Sequence, residues 1–179
     1  MSILVILCFS CKKTEVPNLY KLGTISALIN GNTWITTKNF DIGVYQSSAL
    51  SGEKCNANVN ELIISIYNEF KDRRETLGIS NFPLEIGKIN NIIDGSNMKC
   101  GSKNVGAKYF LIGDDGDAIV GIYGIKESTS NYIKINYIDR TKKVIEGEFE
   151  LTFVRERGVQ NARDIIEFKN GQFKSYYDF

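Results

Sequence analysis

The sequence contains no histidine. Imidazole is the side chain best suited to proton transfer near neutral pH, and it is a common zinc ligand. Its absence excludes Ser-His-Asp and Cys-His catalysis and leaves carboxylates, lysine and tyrosine for acid–base chemistry. Gly-rich phosphate loops are absent from the sequence as well. We therefore expect a protein without a cofactor and without enzymatic activity.

The sequence also lacks an excess of charge of either sign. Its 22 Lys and Arg residues nearly balance 21 Asp and Glu residues, which gives a formal net charge of +1 over 179 residues. Nucleic-acid binding favours a strongly basic face. We expect no nucleic-acid partner.

Charge is missing altogether from residues 1–10, where residues 3–9 form an apolar run that precedes Ser10, Cys11, Lys12 and Lys13. This run is too short for a transmembrane helix, which needs about 20 residues. It fits the apolar region of a secretory signal peptide, which spans roughly 7–15 residues. The alternative is that residues 3–9 form the first strand of the folded domain.

The Ser10-Cys11 junction resembles the lipobox of bacterial lipoproteins, in which a signal peptidase cleaves before a cysteine that carries a diacylglyceryl group. The resemblance implies a signal peptide at residues 1–10, lipid attachment at Cys11, a tether at residues 11–18 and a folded domain at residues 19–179. Acyl chains on Cys11 would hold the protein on a membrane, because each buried methylene contributes about 0.8 kcal/mol. The expected location is the cell envelope, on the outer membrane, at its periplasmic face or at the cell surface.

Four cysteines occur in the chain. If Cys8 leaves with the signal peptide and Cys11 is lipidated, Cys55 and Cys100 remain as a pair in an exported protein. Thiols in oxidising compartments tend to form disulfides. We predict a Cys55–Cys100 disulfide, with two free cysteines as the alternative.

Period-two alternation of apolar and polar residues indicates strands throughout the chain. The clearest case is residues 144–154, where Ile145, Phe149, Leu151 and Phe153 alternate with glutamates. One apolar and one charged face is typical of an antiparallel sheet that faces water on one side. With about ten such segments and no amphipathic helix pattern, we predict a single-domain, all-β antiparallel β-sandwich, with a flattened β-barrel as the alternative.

Two Asn-Gly pairs predict tight hairpins, because type I′ turns need positive φ at both central residues. Asn30-Gly31 and Asn170-Gly171 both lie between alternating segments. Residues 47–58, which include Cys55, and residues 90–106, which include Cys100, are polar and predict long loops.

Two acidic groups are candidate sites. Asp114, Asp115 and Asp117 share one turn and could bind calcium through oxygen ligands, but they lack EF-hand spacing, and a plain hairpin turn is the favoured interpretation. The three glutamates of the charged strand face could form a glycosidase acid–base pair, but a solvated strand is favoured: Glu146, Glu148 and Glu150.

Aromatic side chains are plentiful and could stack on sugar rings or on a protein partner, although core packing is the simpler interpretation. We assign no individual ring to a ligand. The residues considered are Trp34, Tyr45, Tyr67, Tyr109, Tyr123, Tyr132, Tyr137, Tyr176 and Tyr177.

Several segments together resemble small outer-membrane lipoproteins of the Bacteroides group, which combine a lipobox-type N-terminus with an all-β domain of no assigned activity. They are Ser-Cys-Lys-Lys at 10–13, ALINGNTW at 27–34, YIKINYID at 132–139, VIEGEFELTF at 144–153 and IIEFKNGQF at 165–173. The resemblance implies an exported, membrane-tethered β protein. We expect a non-catalytic binding or structural module whose partner is a glycan or an envelope protein. The alternatives are a carboxylate-based glycan hydrolase and a carrier of small apolar ligands.

Overall fold

A computed structural model describes residues 23–34, 40–50, 53–67, 73–114, 118–160, 162–177 and 179; for residues 48–50, 53–57, 73 and 97 it describes the backbone alone. These residues form strands and one short 3-10 turn, Gly95–Asn97, so the all-β prediction is confirmed. The strands are β1 Thr24–Ile29, β2 Asn32–Thr33, β3 Phe40–Leu50, β4 Glu53–Tyr67, β5 Arg73–Ser80, β6 Ile89–Asp94, β7 Val105–Ile112, β8 Ile119–Ile125, β9 Tyr132–Asp139, β10 Val144–Gly158 and β11 Ile165–Tyr176.

All eleven strands belong to one hydrogen-bonded sheet in the order β2-β1-β11-β10-β9-β6-β7-β5-β4-β3, with β8 paired to both β10 and β7. The β6–β7 pair is parallel and the other pairs are antiparallel, so the sheet is mixed. The predicted sandwich placed the strands in two sheets, whereas the observed hydrogen bonds join them in one. The physical reason is the length of β10, which pairs with β11, with β9 over its first half and with β8 over its second half.

The alternation predicted for β10 is confirmed. Ile145, Phe149, Leu151 and Phe153 are fully buried in one apolar cluster, while the intervening glutamates lie on the other face. Phe168 is central to this cluster: its ring lies 4.6 Å from that of Trp34 and 5.3 Å from that of Tyr109, measured between ring centroids. The sheet therefore curls around a core filled with aromatic rings.

The last strand of this order, β3, returns to the C-terminal end of β11. Val44 on β3 forms an isolated bridge with Tyr177, which directly follows β11. The Ser175 hydroxyl donates to the carbonyl oxygen of Ile42 at 3.4 Å. These contacts close the strand order from β3 back to β11.

One of the two predicted Asn-Gly turns is confirmed and the other is wrong. Asn30 and Gly31 have φ values of 49° and 80° and connect β1 to β2. Asn170 also has positive φ, at 53°, but it lies inside the continuous strand β11, where the register with β10 shifts. A bulge and a tight turn need the same left-handed residue, so the local signal does not distinguish them.

The loop predicted for residues 47–58 is also wrong. β3 extends to Leu50 and β4 begins at Glu53, so the backbone of Cys55 belongs to a strand. The second predicted loop, residues 90–106, contains most of β6 and the 3-10 turn. Polar strand ends resemble loops in sequence, because a solvated strand needs few apolar residues.

Candidate ligand-binding groove

A groove of about 250 Å³ lies on the sheet face opposite the apolar core, over β4, β5 and β7. We call it the Gly78 groove. Its lining combines apolar, hydroxyl and charged side chains: Glu61, Ile63, Thr76, Gly78, Ser80, Met98, Lys108 and Phe110. The neighbours of these residues along the same strands, such as Leu62, Leu77 and Tyr109, point into the core.

Glycine creates the depth of this groove. Gly78 is paired with Ile63 on β4 and with Lys108 on β7. A Cβ atom built on Gly78 would have no heavy atom within 4 Å, so the space above the backbone is open. A glycine in a strand interior contributes no side chain to packing and often marks a place where another group approaches the backbone.

One wall of the groove comes from the segment after β6. Met98 is buried and packs with Val59 and the half-buried Cys100 in a small cluster separate from the main core. A Cβ atom on Gly106 would collide with the sulfur of Met98. A residue without a side chain is therefore needed at position 106 for Met98 to pack against β7.

Glu61 is a half-buried acid in the groove, and the Ser80 hydroxyl donates to its Oε1 at 3.2 Å. Burial raises the pKa of Glu61, and the Ser80 hydrogen bond offsets this only in part. Among the described residues, no Lys or Arg forms an ion pair with Glu61. Thr76 also lines the groove, and its buried hydroxyl oxygen has no hydrogen-bond partner within the described ranges.

Lys108 occupies the other side of the groove and is held by two acids. Its Nζ lies 2.9 Å from Asp94 Oδ1 and 2.6 Å from both carboxylate oxygens of Glu156. Its side chain is only 16% exposed. Gly124 allows the two acids to converge, because a Cβ there would lie 3.0 Å from Asp94 Oδ2 and would collide with Glu156.

These three charged side chains contact one another. Burial by itself raises the pKa of Asp94, but hydrogen bonds from the Ser96 N–H and from Lys108, the contact with Glu156 and the charge of Lys108 outweigh it. The pKa of Asp94 is therefore held below its usual value. Lys108 is fully engaged, so the lysine is a structural cation and not a free anion-binding group.

Replacing Lys108 with methionine should lower the free energy of unfolding by about 1.5–3 kcal/mol, because it leaves two facing carboxylates without their shared donor. Urea unfolding at neutral pH measures the loss. The matched control is Lys134→Met, which breaks a more exposed pair with Glu148 at 3.2 Å and should cost no more than about 1 kcal/mol.

The stabilisation by this charged group should also depend on pH. The lowered pKa of Asp94 stabilises the fold above its unfolded value of 3.8, and that contribution is lost as the pH falls through the folded-state pKa. As the pH is lowered, the free energy of unfolding of Lys108→Met should therefore fall less than that of the wild type. Equal stability of Lys108→Met and wild type at neutral pH would contradict the interpretation.

The glutamates predicted as a glycosidase pair are each bound to a lysine. Glu146 pairs with Lys174 at 2.7 Å, and the corresponding partners are Lys134 for Glu148 and Lys169 for Glu150. A hydrogen bond from Asn136, together with Lys134, lowers the pKa of Glu148 against the effect of burial. A general acid needs a raised pKa, so this face favours the solvated-strand interpretation.

The acidic turn is only partly described, since Asp115 and Asp117 lie outside the described residues. Asp114 is exposed. The guanidinium of Arg74 donates to the backbone carbonyl oxygens of Gly113 and Asp114. In the part of the chain that the structure describes, no three acidic or cysteine side chains cluster as a metal site would require.

The aromatic candidates divide between core and surface. Tyr109, Tyr123 and Tyr177 are buried in the core, which confirms the packing interpretation for them. Trp34 packs against this core, and Tyr137 is 46% exposed. Phe110, which was not among the candidates, is the ring that lines the groove.

The structure describes the side chain of only one of the three cysteines considered as sites, Cys100. Cys11 and the side chain of Cys55 lie outside the described residues, so lipidation and the Cys55–Cys100 disulfide stay predictions. Cys100 is not a free thiol, and it packs beside Val59, which lies four positions beyond Cys55 on β4.

Sequence reasoning missed Glu61, Gly78 and Lys108, which the sheet brings together from three strands. The one local signal was Gly78 within the segment TLGIS, since an isolated glycine in a strand pattern suggests a close approach to the backbone.

The chain matches no protein-family model, no curated protein and no solved structure. None of the helical structure within the described residues has the length and apolar character needed to cross a membrane.

Proposed function

We propose that this protein is a lipid-anchored component of the cell envelope whose β domain is a non-catalytic binding module, with the ligand held in the Gly78 groove. The observation that carries the proposal is the combination of an open glycine floor with converging polar groups. Ligand sites in proteins are concave, mostly apolar and furnished with a few placed polar groups. The groove has this composition, with Glu61, Thr76 and Ser80 beside Ile63 and Phe110.

The groove lies over three adjacent, hydrogen-bonded strands, which favours a preformed site. β4, β5 and β7 are paired continuously beneath it, from Glu61 opposite Ser80 to Thr76 opposite Phe110. Groups on rigid strands keep their geometry and lose little entropy when a ligand binds.

The two alternative functions have less support. A carrier of apolar ligands needs an enclosed apolar cavity, whereas rings such as Tyr109, Phe153 and Phe168 fill the interior around which the sheet curls. A glycan hydrolase needs two acids of different pKa facing one bond. Glu61 has a raised pKa, but Asp94 and Glu156 beside the groove both form ion pairs with Lys108, so neither faces Glu61 as a free second acid.

Filling the groove tests the proposal. Gly78→Leu should abolish ligand binding, because its side chain occupies open space, and it should leave the fold intact. Gly78→Ala is the matched control: it should keep binding and raise stability by about 0.5–1 kcal/mol, since glycine is costly within a strand. The measurement is ligand-observed NMR with a panel of soluble oligosaccharides, short peptides and small amines. Ligands that bind wild type and Gly78→Leu equally would place the site elsewhere.

The anchor and the envelope location rest on the lipobox resemblance and on the similarity to small lipoproteins of the Bacteroides group. Cleavage before Cys11, acylation of Cys11 and a Cys55–Cys100 disulfide each change the mass of the chain in a defined way. Intact mass spectrometry of the membrane fraction, before and after reduction, tests all three. A chain that keeps residues 1–10 would overturn the proposed anchor.

A further inference from the structure

We infer that the Gly78 groove is selective for organic cations and places their ammonium group against Glu61. This inference rests on the proposed binding function and specifies its ligand class. The observation behind it is the imbalance of charge around the groove.

Two charged side chains line the groove, Glu61 and Lys108, and Lys108 in turn contacts Asp94 and Glu156 beside it. The formal charges of these four side chains sum to a net negative value. Lys108 is shared by Asp94 and Glu156, and nothing in the described ranges supplies a second cation. The groove is therefore complementary to a positively charged ligand and repels an anion.

Glu61 is the group left to be neutralised. Its carboxylate is half-buried and is stabilised by a single hydroxyl, that of Ser80. Burying a charge without an opposite charge is costly. A ligand ammonium group would supply both the missing charge and N–H donors, and charge-assisted hydrogen bonds are about twice as strong as neutral ones.

The remaining lining indicates the rest of the ligand. Ile63, Met98 and Phe110 offer apolar contacts for a carbon skeleton, and the face of an aromatic ring also attracts cations. The hydroxyl oxygen of Thr76, which lacks a partner in the described structure, can accept a further N–H. The chemical class is thus a primary amine on a short apolar or ring skeleton.

Three probes of similar size test the charge preference on the purified full-length protein. They are benzylamine, which is cationic, benzyl alcohol, which is neutral, and benzoate, which is anionic. NMR titration at neutral pH should show benzylamine binding about tenfold or more tightly than benzyl alcohol, the factor expected for one charge-assisted hydrogen bond. Benzoate should not bind.

Glu61→Gln keeps the shape of the side chain and removes its charge. This variant should weaken benzylamine binding about tenfold, to the level of benzyl alcohol, because it removes the charge-assisted bond. The matched control is Glu167→Gln, which removes an exposed carboxylate on β11, outside the groove, and should leave both affinities unchanged. Since burial raises the pKa of Glu61, its charge opposes folding at neutral pH, so Glu61→Gln should unfold at no lower temperature than wild type.

The outcomes separate the two proposals. If benzyl alcohol or benzoate binds as tightly as benzylamine, or if none of the probes binds, the cation preference is wrong. The binding function still stands in either case if another ligand binds wild type and is blocked by Gly78→Leu. Should Glu61→Gln fail to fold, the comparison of the three probes on wild type decides the question alone.

Discussion

Replacing Phe168 with alanine should lower the free energy of unfolding by about 3–5 kcal/mol, the usual cost of truncating a fully buried phenylalanine. Phe168 is 0% exposed and packs against four other rings: Trp34, Tyr109, Phe149 and Phe153. Edge-to-face contacts of this kind add about 0.5–1.5 kcal/mol beyond the burial of area. No neighbouring side chain can fill the space without abandoning its own contacts.

Urea unfolding of Phe168→Ala and Phe168→Leu measures this effect. The leucine variant keeps most of the volume and should lose less than the alanine variant. The adjacent Lys169→Ala is the surface control, since Lys169 is partly exposed and forms a long ion pair with Glu150 at 3.4 Å. A loss below about 1 kcal/mol for Phe168→Ala would be outside the range for a core aromatic and would show that the ring is not central to the core.

Replacing Glu75 with alanine should destabilise the protein by about 2–6 kcal/mol, because one buried and one half-buried donor lose their acceptor at about 1–3 kcal/mol each. Glu75 Oε2 accepts from the Trp34 indole at 2.7 Å and from the Tyr109 hydroxyl at 2.6 Å. Burial and the charge of Glu75 raise the pKa of Tyr109 far above its ordinary value, so the phenol stays a donor. Glu75 thereby ties the segment after β2 to β5 across the core.

Trp34 is the sole tryptophan, so its fluorescence reports this contact directly. The emission of Glu75→Ala should shift to the red as the indole loses its fixed position. Glu75→Gln is the control, because its amide oxygen can still accept one hydrogen bond and the loss should be smaller. An unchanged emission spectrum together with unchanged stability would show that the Trp34–Glu75 bond is not formed in solution.

The sequence predicts the fold class because strand alternation is local. In β10, every second residue faces the core, and a single strand displays the whole pattern. Asn170-Gly171 shows the limit of such signals, since a left-handed asparagine is compatible with a turn and with a bulge. The observed bulge follows from the pairing of β10 with β11, which places Gly171 under the ring of Phe149.

The groove could not be predicted, because it depends on register between strands that are distant in sequence. Glu61, Gly78 and Lys108 are unremarkable one by one. They become neighbours only when β5 pairs with both β4 and β7. The interpretation of the glutamates on β10 as solvated was easier, because each lies opposite a lysine on a neighbouring strand.

The pairing of β1 with β11 has a consequence for the time course of folding. Thr24 lies opposite Lys174, so the first described strand completes its ladder with the last one. A chain synthesised from its N-terminus cannot form this pair until β11 has been made, and such non-local contacts are slow to form. The pairing of β1 with β11 is therefore a late step of folding, and the fluorescence of Trp34, which packs on β11 through Phe168, offers a way to time it.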